Sequence, residues 1–268
     1  MSGPPGTLKE YEEANVEGTL RLARLCARAG VKNLVYVSSL SVYENPRGRN
    51  RYLDESTAYD ERAADRGIYT QSKLGADKAL LEYVNHRNGK PASLRVIVLR
   101  PGTIYGPGAP LPIGRFKLPS SNHRPVIAGS HRVPMPLTYV DNLIDVMVAA
   151  ARSQIPTGSI FNVVDSPEMD QGEVTRTLRK VSGGRIRPIH LPYPMVWTMM
   201  LGVDLLSLAR KRTPGTARFR LKRTLADMRF TCTAARKELG WEPQVSLSEG
   251  LSRVLEASTE THFDAKPK

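Results

Sequence analysis

Cysteine is nearly absent: Cys26 and Cys232 are the only two in 268 residues. Two cannot build a disulfide framework or a zinc–thiolate site, so a reducing, cytoplasmic compartment is expected. The five histidines, at 86, 123, 131, 190 and 262, show no paired ligand spacing, and no metal site is expected either. No stretch reaches the roughly 20 apolar residues of a membrane-spanning helix. The longest apolar run, 195–208, is interrupted by Asp204. Met1-Ser-Gly-Pro-Pro-Gly-Thr7 lacks the basic and apolar blocks of a secretory signal, so no leader is expected. There is no internal repeat and no low-complexity segment. Acidic residues are the minority charge, 26 against 39 Lys and Arg, a net charge of +13. That excess points to an anionic partner: a cofactor phosphate, an acidic membrane surface or nucleic acid.

What the chain does have is a globular composition, 40% hydrophobic and 24% charged, with enough residues for one large core, or one large and one small. Over 11–29 the apolar residues Val16, Leu20, Leu22, Ala23, Leu25 and Cys26 recur at helical spacing before Gly30. The β-branched and aromatic run at 33–38 predicts a strand. A polar loop with one helical turn is expected over 43–67, and a second helix over 69–88, ending against Gly89 and Pro91. A second strand, 94–99, closes at Pro101–Gly102. Helices alternating with nearly all-apolar strands predict an α/β fold with a doubly wound parallel sheet. Proline and glycine crowd 101–136. Beyond them the pattern predicts a helix over 141–152 with Asp141 as N-cap, a strand over 159–164, a helix over 169–182 and a strand over 186–191. The expected division is a partial dinucleotide-binding domain at 1–105 and a smaller substrate lobe at 106–268, some of whose segments return to the sheet domain.

Tyr69 and Lys73 stand four residues apart at the start of the second helix and so share one face. An ammonium beside a phenol favours the phenolate, which makes the tyrosine a usable acid or base. Alone, the spacing is equally that of a solvated surface pair in a chain with 10 tyrosines. Its surroundings decide. The strand before it ends in Ser38-Ser39, and the strand after it ends in the turn Arg100-Pro-Gly-Thr-Ile-Tyr-Gly-Pro-Gly108. Both ends fall at the carboxyl edge of a parallel sheet, where such sheets bind ligands. A hydroxyl, a tyrosine and a lysine converging there can polarise a carbonyl and move its proton.

These segments, with Asn15-Val-Glu-Gly-Thr19, Val37-Ser-Ser-Leu-Ser-Val-Tyr43, Tyr139-Val-Asp-Asn142 and Lys237-Glu-Leu-Gly-Trp-Glu-Pro243, follow one another in a specific order. Together they resemble the extended short-chain dehydrogenase/reductase family, the NAD-dependent epimerases and dehydratases, from Tyr11 to near Glu256. The resemblance implies a Rossmann-like fold, NAD or NADP as cofactor and a small-molecule substrate. It implies that Tyr69 is the catalytic acid/base and that Lys73 binds the nicotinamide ribose and depresses the tyrosine pKa. Ser39 would hydrogen-bond the reacting oxygen, and Asn15 would sit beside the cofactor. Pro101 and Gly102 would pass close to the nicotinamide, and Thr103 and Tyr105 would face the substrate. Family members open with a strand, a glycine-rich phosphate loop and a helix, pieces of roughly 30 residues each with no counterpart before Tyr11. Gly102-x-x-x-Gly106-x-Gly108 does not replace that loop, because prolines flank it and it opens no helix. An N-terminally truncated member with an incomplete sheet is therefore expected.

Sugar-nucleotide members of the family carry an Arg-Asp pair just before the Tyr-Val-x-Asp segment, the arginine holding a diphosphate. Here Met135 and Pro136 stand in that place, which leans the expectation towards the sterol and 3β-hydroxysteroid dehydrogenase branch. The leading function is NAD(P)-dependent oxidation or reduction of a secondary alcohol or ketone. The alternatives are a nucleotide-sugar epimerase or dehydratase, with Arg132 as substitute arginine, and a non-catalytic remnant. The apolar run 195–208 reads first as a buried helix. Followed by seven basic and no acidic residues over 210–223, it reads second as peripheral membrane contact through 195–223. Only Phe219 interrupts that charge with an aromatic ring, so no nucleic-acid partner is expected, and a homodimer is left open.

Overall fold

The computed structural model describes residues 6–44, 51–86, 94–114, 116–118, 124–209 and 216–263. The chain enters through α1 (Leu8–Glu12), where Thr7 and Glu10 form a reciprocal capping box. A π-helical turn over Glu13–Glu17 leads directly into α2 (Gly18–Arg28) and then β1 (Asn33–Val37). After β2 (Arg51–Leu53) come α3 (Ile68–Asn85) and β3 (Arg95–Pro101). Four short strands, β4 (Thr103–Tyr105), β5 (Lys117–Leu118), β6 (Val126–Ala128) and β7 (Leu137–Tyr139), precede α4 (Val140–Arg152). β8 (Ser159–Val163), α5 (Gln171–Val181) and β9 (Ile189–Leu191) follow. The chain closes with α6 (Tyr193–Ala209), α7 (Thr216–Thr224), β10 (Met228–Phe230), α8 (Thr233–Leu239) and α9 (Leu247–Phe263).

The fold is α/β. Its central sheet has the order β1–β3–β8, all parallel, with Val37 opposite Leu99 and Leu99 opposite Phe161. The pleat sorts the side chains. Leu34, Tyr36 and Val96 face one way, against Ala23 of α2 and Leu80 and Val84 of α3. Val35, Ile97, Leu99 and Phe161 face the other, against Leu143 and Val146 of α4, Ala235 of α8 and Trp241. Helices therefore cover both faces, which is why these strands can be apolar throughout. A second cluster joins β4 and β7 to α5 and α9 through Tyr105, Leu137, Tyr139, Leu178 and Leu251. Among the described residues, β1 is an edge: β3 pairs with one side of it and no strand pairs with the other. All five of its residues are half-exposed.

Several expected elements differ. The polar stretch 43–67 contains β2, which pairs in parallel with β10 from the far end of the chain, Leu53 opposite Phe230. The proline- and glycine-rich stretch holds three short strands, β4, β5 and β6, and β7 follows it directly. The N-cap of α4 is Tyr139, whose N–H donates to Asp165; Asp141 lies in the first turn and pairs instead with Arg253 at 2.9 Å. The expected stop at Gly89 and Pro91 lies outside the described residues.

Candidate active site

A cavity of about 270 Å³ opens beyond the carboxyl ends of β1 and β3. Ser39 reaches it from the end of β1. There it caps a 3₁₀ turn at Leu40–Val42, its Oγ accepting from the Ser41 N–H at 3.1 Å, so the hydroxyl is fixed rather than free to rotate away. Tyr69, in the first turn of α3, meets it in the same wall. Burial pushes the Tyr69 phenol above its ordinary value; the Ser39 hydroxyl pulls it back and Tyr11 adds to the rise.

One turn further along α3, Lys73 stands behind this wall. Its Nζ donates to the Val37 carbonyl at 3.0 Å and lies 5.4 Å from the centre of the Tyr36 ring. Burial lowers the lysine pKa and the Asp77 carboxylate opposes that. The expected depression of the Tyr69 pKa is therefore not what the structure shows: the phenol is raised, and the ammonium is turned to a backbone carbonyl. Asn15 sits in the π-turn, whose wider ring re-aims side chains. Its Nδ2 donates to Ser72 Oγ at 3.0 Å, and Ser72 donates to the Tyr69 carbonyl at 3.0 Å. Asn15 thus grips the helix that carries the tyrosine. Gly75 allows the approach, since a Cβ there would come within 3.2 Å of Val16.

Pro101, Gly102 and Thr103, at and just beyond the end of the neighbouring strand β3, also line the cavity. The Gly102 N–H is shared between the Val163 carbonyl at 3.0 Å and Thr138 Oγ1 at 3.1 Å. A Cβ on Gly102 would lie 2.3 Å from the Pro136 carbonyl oxygen, so only glycine lets the two backbones cross. Met135, Pro136 and Leu137 continue the wall, with Met228 and Phe230 of β10 beyond them. Tyr105 is not part of it. Two residues along β4 amount to about 7 Å, enough to carry this side chain past the cavity and under Gly250. There it is 1% exposed, edge-on to Tyr139 with centroids 5.2 Å apart.

Two features were not foreseen from the sequence. Arg66 lines the cavity, but its guanidinium donates to the Ser41 and Tyr43 carbonyls at 2.5 and 3.2 Å and pairs with Asp60 at 3.3 Å. Its only sequence signal was a place in a polar stretch. Behind the cavity, Arg100 is buried with Asp77: Nε and Nη2 donate to Asp77 Oδ2 at 2.9 and 2.7 Å. Nη2 also donates to Tyr59 Oη at 2.7 Å, and the Tyr43 ring lies 4.6 Å below the guanidinium. The late motifs prove to be one structural unit. Asn142 Oδ1 accepts from the Gln244 and Val245 N–H groups, its carbonyl accepts from Trp241 Nε1, and its Nδ2 donates to Asp165 at 2.9 Å. Burial pushes Asp165 up to about 6.

A parallel sheet wound by helices on both faces, with Ser39, Tyr69 and Lys73 gathered at its carboxyl edge, is the architecture of an extended short-chain dehydrogenase/reductase. Residues 5–188 match the model of the 3-beta hydroxysteroid dehydrogenase/isomerase family. The chain belongs to that family. It is 30% identical to a decarboxylating sterol-4-alpha-carboxylate 3-dehydrogenase of Candida albicans, over 96% of this chain and 73% of that protein. It is 24% identical to the N-acetyl-alpha-D-glucosaminyl-diphospho-ditrans,octacis-undecaprenol 4-epimerase of Escherichia coli O157:H7, over 92% of this chain and 71% of the relative. The fold is shared with UDP-glucuronic acid 4-epimerase from Bacillus cereus in complex with NAD, at a TM-score of 0.66 and 18% identity, covering 98% of this chain and 72% of that one.

Proposed function

We propose that the protein is an NAD(P)-dependent oxidoreductase that interconverts a secondary alcohol and a ketone on a hydrophobic, sterol-like skeleton. The observation that carries this reading is the meeting of Ser39 and Tyr69 in the wall of a cavity whose lining also includes the apolar Met135, Pro136, Leu137, Met228 and Phe230. Such a cavity binds an apolar body and fixes one polar atom of it.

The donor set suits the nicotinamide and ribose end of a dinucleotide. Tyr69 and Lys73 share one face of α3, and Gly102 stands in the cavity wall beside Pro101. Lys73 and Tyr69 would hold the ribose, and Pro101–Gly102 would flank the nicotinamide. No glycine-rich strand–loop–helix occurs within residues 1–268, so no side chain is assigned to the pyrophosphate. When bound, the dinucleotide supplies or accepts a hydride. Tyr69 Oη gives or takes the proton at the substrate oxygen. Ser39 Oγ donates a hydrogen bond to that same oxygen, and Asn15 holds the first turn of α3 in place through Ser72. The raised Tyr69 pKa favours the protonated phenol, the form that reduction requires.

The epimerase relative supports a second reading, in which the substrate is a sugar on a diphosphate. Arg66 weakens it. This is the cation in the cavity wall among the described residues, and its guanidinium is already engaged with two carbonyls and Asp60. The test is in two parts. NAD and NADP are titrated against the thermal midpoint, which must rise if the nicotinamide site is real. Nicotinamide absorbance is then followed with 3β-hydroxysterols and with UDP-sugars. Sterol-dependent turnover is expected; turnover of UDP-sugars alone overturns the substrate assignment, and no midpoint shift at millimolar dinucleotide overturns the cofactor site.

A further inference from the structure

Ser39 opens the 3₁₀ turn Leu40–Val42, and the last carbonyls of so short a turn have no partner within it. Every carbonyl from Ser39 to Tyr43 is nonetheless occupied. Those of Ser39 and Leu40 accept from the Val42 and Tyr43 N–H groups, each at 3.3 Å. The Val42 carbonyl accepts from the Asp60 N–H at 2.9 Å, beside the antiparallel bridge of Tyr43 with Tyr59. The other two, of Ser41 and Tyr43, accept from a single atom, Arg66 Nη1, at 2.5 and 3.2 Å.

The place of Arg66 in the chain gives this contact its weight. It ends the 3₁₀ turn Ala63–Arg66, three residues before Tyr69. Between them Gly67 has φ 107° and ψ 163°, a region that only glycine enters freely. A Cβ on Gly67 would meet nothing within 4 Å, so glycine serves the backbone angle there and not the space. The kink sends the Arg66 side chain back to the end of β1 while α3 runs on from Ile68, and the path from guanidinium to Tyr69 is short and of fixed shape. The path on the other side is as short, because Ser39 Oγ accepts from the N–H of Ser41, whose carbonyl Arg66 holds. The guanidinium is anchored in turn by Asp60, 2% exposed, at 3.3 Å. A charge already met by a buried carboxylate suits fixing backbone better than receiving an anionic substrate.

We propose that Arg66 is a positioning residue for the reaction: it ties the turn that carries Ser39 to the start of α3 and so sets the Ser39 hydroxyl against the Tyr69 phenol. This rests on the reading above, in which the two hydroxyls act on one substrate oxygen. Two groups that must meet the same atom tolerate little error, since a misplacement of about 1 Å can cost about 10²-fold in rate.

The test pairs amide hydrogen exchange with turnover in the full chain. Arg66→Ala removes the contact, while Arg66→Lys keeps the charge beside Asp60 on a side chain one bond shorter and without the planar donors. Peptides covering 38–44 are expected to exchange at least about tenfold faster in Arg66→Ala, with Arg66→Lys between, while those covering 95–101 in β3 keep the wild-type rate. With NAD or NADP and a 3β-hydroxysterol, well below the thermal midpoint, kcat is expected to fall about 10- to 100-fold in Arg66→Ala and less in Arg66→Lys, with KM within about twofold of wild type. Unchanged exchange at 38–44 overturns the proposal, as does exchange raised equally in β3, which would make Arg66 a general support of the fold. Unchanged kcat overturns it too, and so does a raised KM with kcat kept, which would make Arg66 a substrate contact. A wild-type chain that turns over only UDP-sugars overturns the sterol reading and not this one, because the same kcat and KM comparison is then made with that substrate.

Discussion

Asp77→Asn tests whether the ion pair behind the cavity is as costly to break as its burial requires. Arg100 and Asp77 have side chains 1% and 0% exposed, and the arginine donates twice to one carboxylate oxygen. Removing the negative charge leaves a guanidinium with no compensating anion and little water, and breaking such a pair costs about 3–5 kcal/mol. For a protein of this size that is a fall in thermal midpoint on the order of 6–20 °C. Urea unfolding followed by the fluorescence of buried Trp241 measures it directly, and an unchanged denaturant slope shows that the loss is in stability rather than in compactness. The apolar double variant Asp77→Leu/Arg100→Met separates charge from packing, because replacing both partners removes the orphaned charge and should recover most of the loss. A loss under about 1 kcal/mol in the single variant would mean that water reaches the pair, and the reasoning from burial would fail.

Three further outcomes are expected. Gly102→Ala places a Cβ 2.3 Å from the Pro136 carbonyl oxygen, so it should cost about 1–3 kcal/mol and weaken dinucleotide binding; an unchanged midpoint would show that β3 and the Pro136 segment can part freely. Tyr69→Phe should keep the fold and dinucleotide affinity but lose roughly 10²–10⁴ in kcat, and turnover within a few-fold of wild type would remove Tyr69 from the chemistry. Asp165, at about 6 when folded against about 3.9 when unfolded, binds its proton more tightly in the folded state. It therefore favours folding at low pH, and that contribution, about 3 kcal/mol, is lost as pH rises from 4 to 6. Asp165→Asn, neutral throughout, should flatten the stability profile over that interval, and parallel profiles would exclude the assigned cause.

The central sheet was legible because its strands are apolar on both faces, so Leu34-Val-Tyr-Val37 and Val96-Ile-Val-Leu99 could be little else. Ser39, Tyr69, Pro101, Gly102 and Thr103 were legible because spacing along a helix and the end of a strand fix where a side chain emerges. What was lost depends on long-range pairing. Arg51-Tyr-Leu53 looks like loop until β10, some 175 residues later, lies beside it. Arg100 looked like a motif residue beside a turn, and only the packing of α3 on the sheet reveals Asp77 as its partner. Tyr105 misled because period-two alternation gives the face of a strand but not how far along that face the cavity extends. The Lys73 effect on Tyr69 was inferred from spacing and from the family resemblance. Spacing says that two side chains can meet, while the hydrogen bond to Val37 shows which partner the ammonium has.

The unpaired side of β1 carries a practical consequence. Asn33-Leu-Val-Tyr-Val37 is five half-exposed residues with no charge and no proline, and among the described residues no strand pairs with the backbone groups of its outer side, the Val37 carbonyl being held by Lys73. Nothing in its own side chains repels a copy of itself, so two molecules that meet at this edge can zip together one rung at a time. Loss of soluble protein during storage, followed by sedimentation, should then accelerate steeply with concentration.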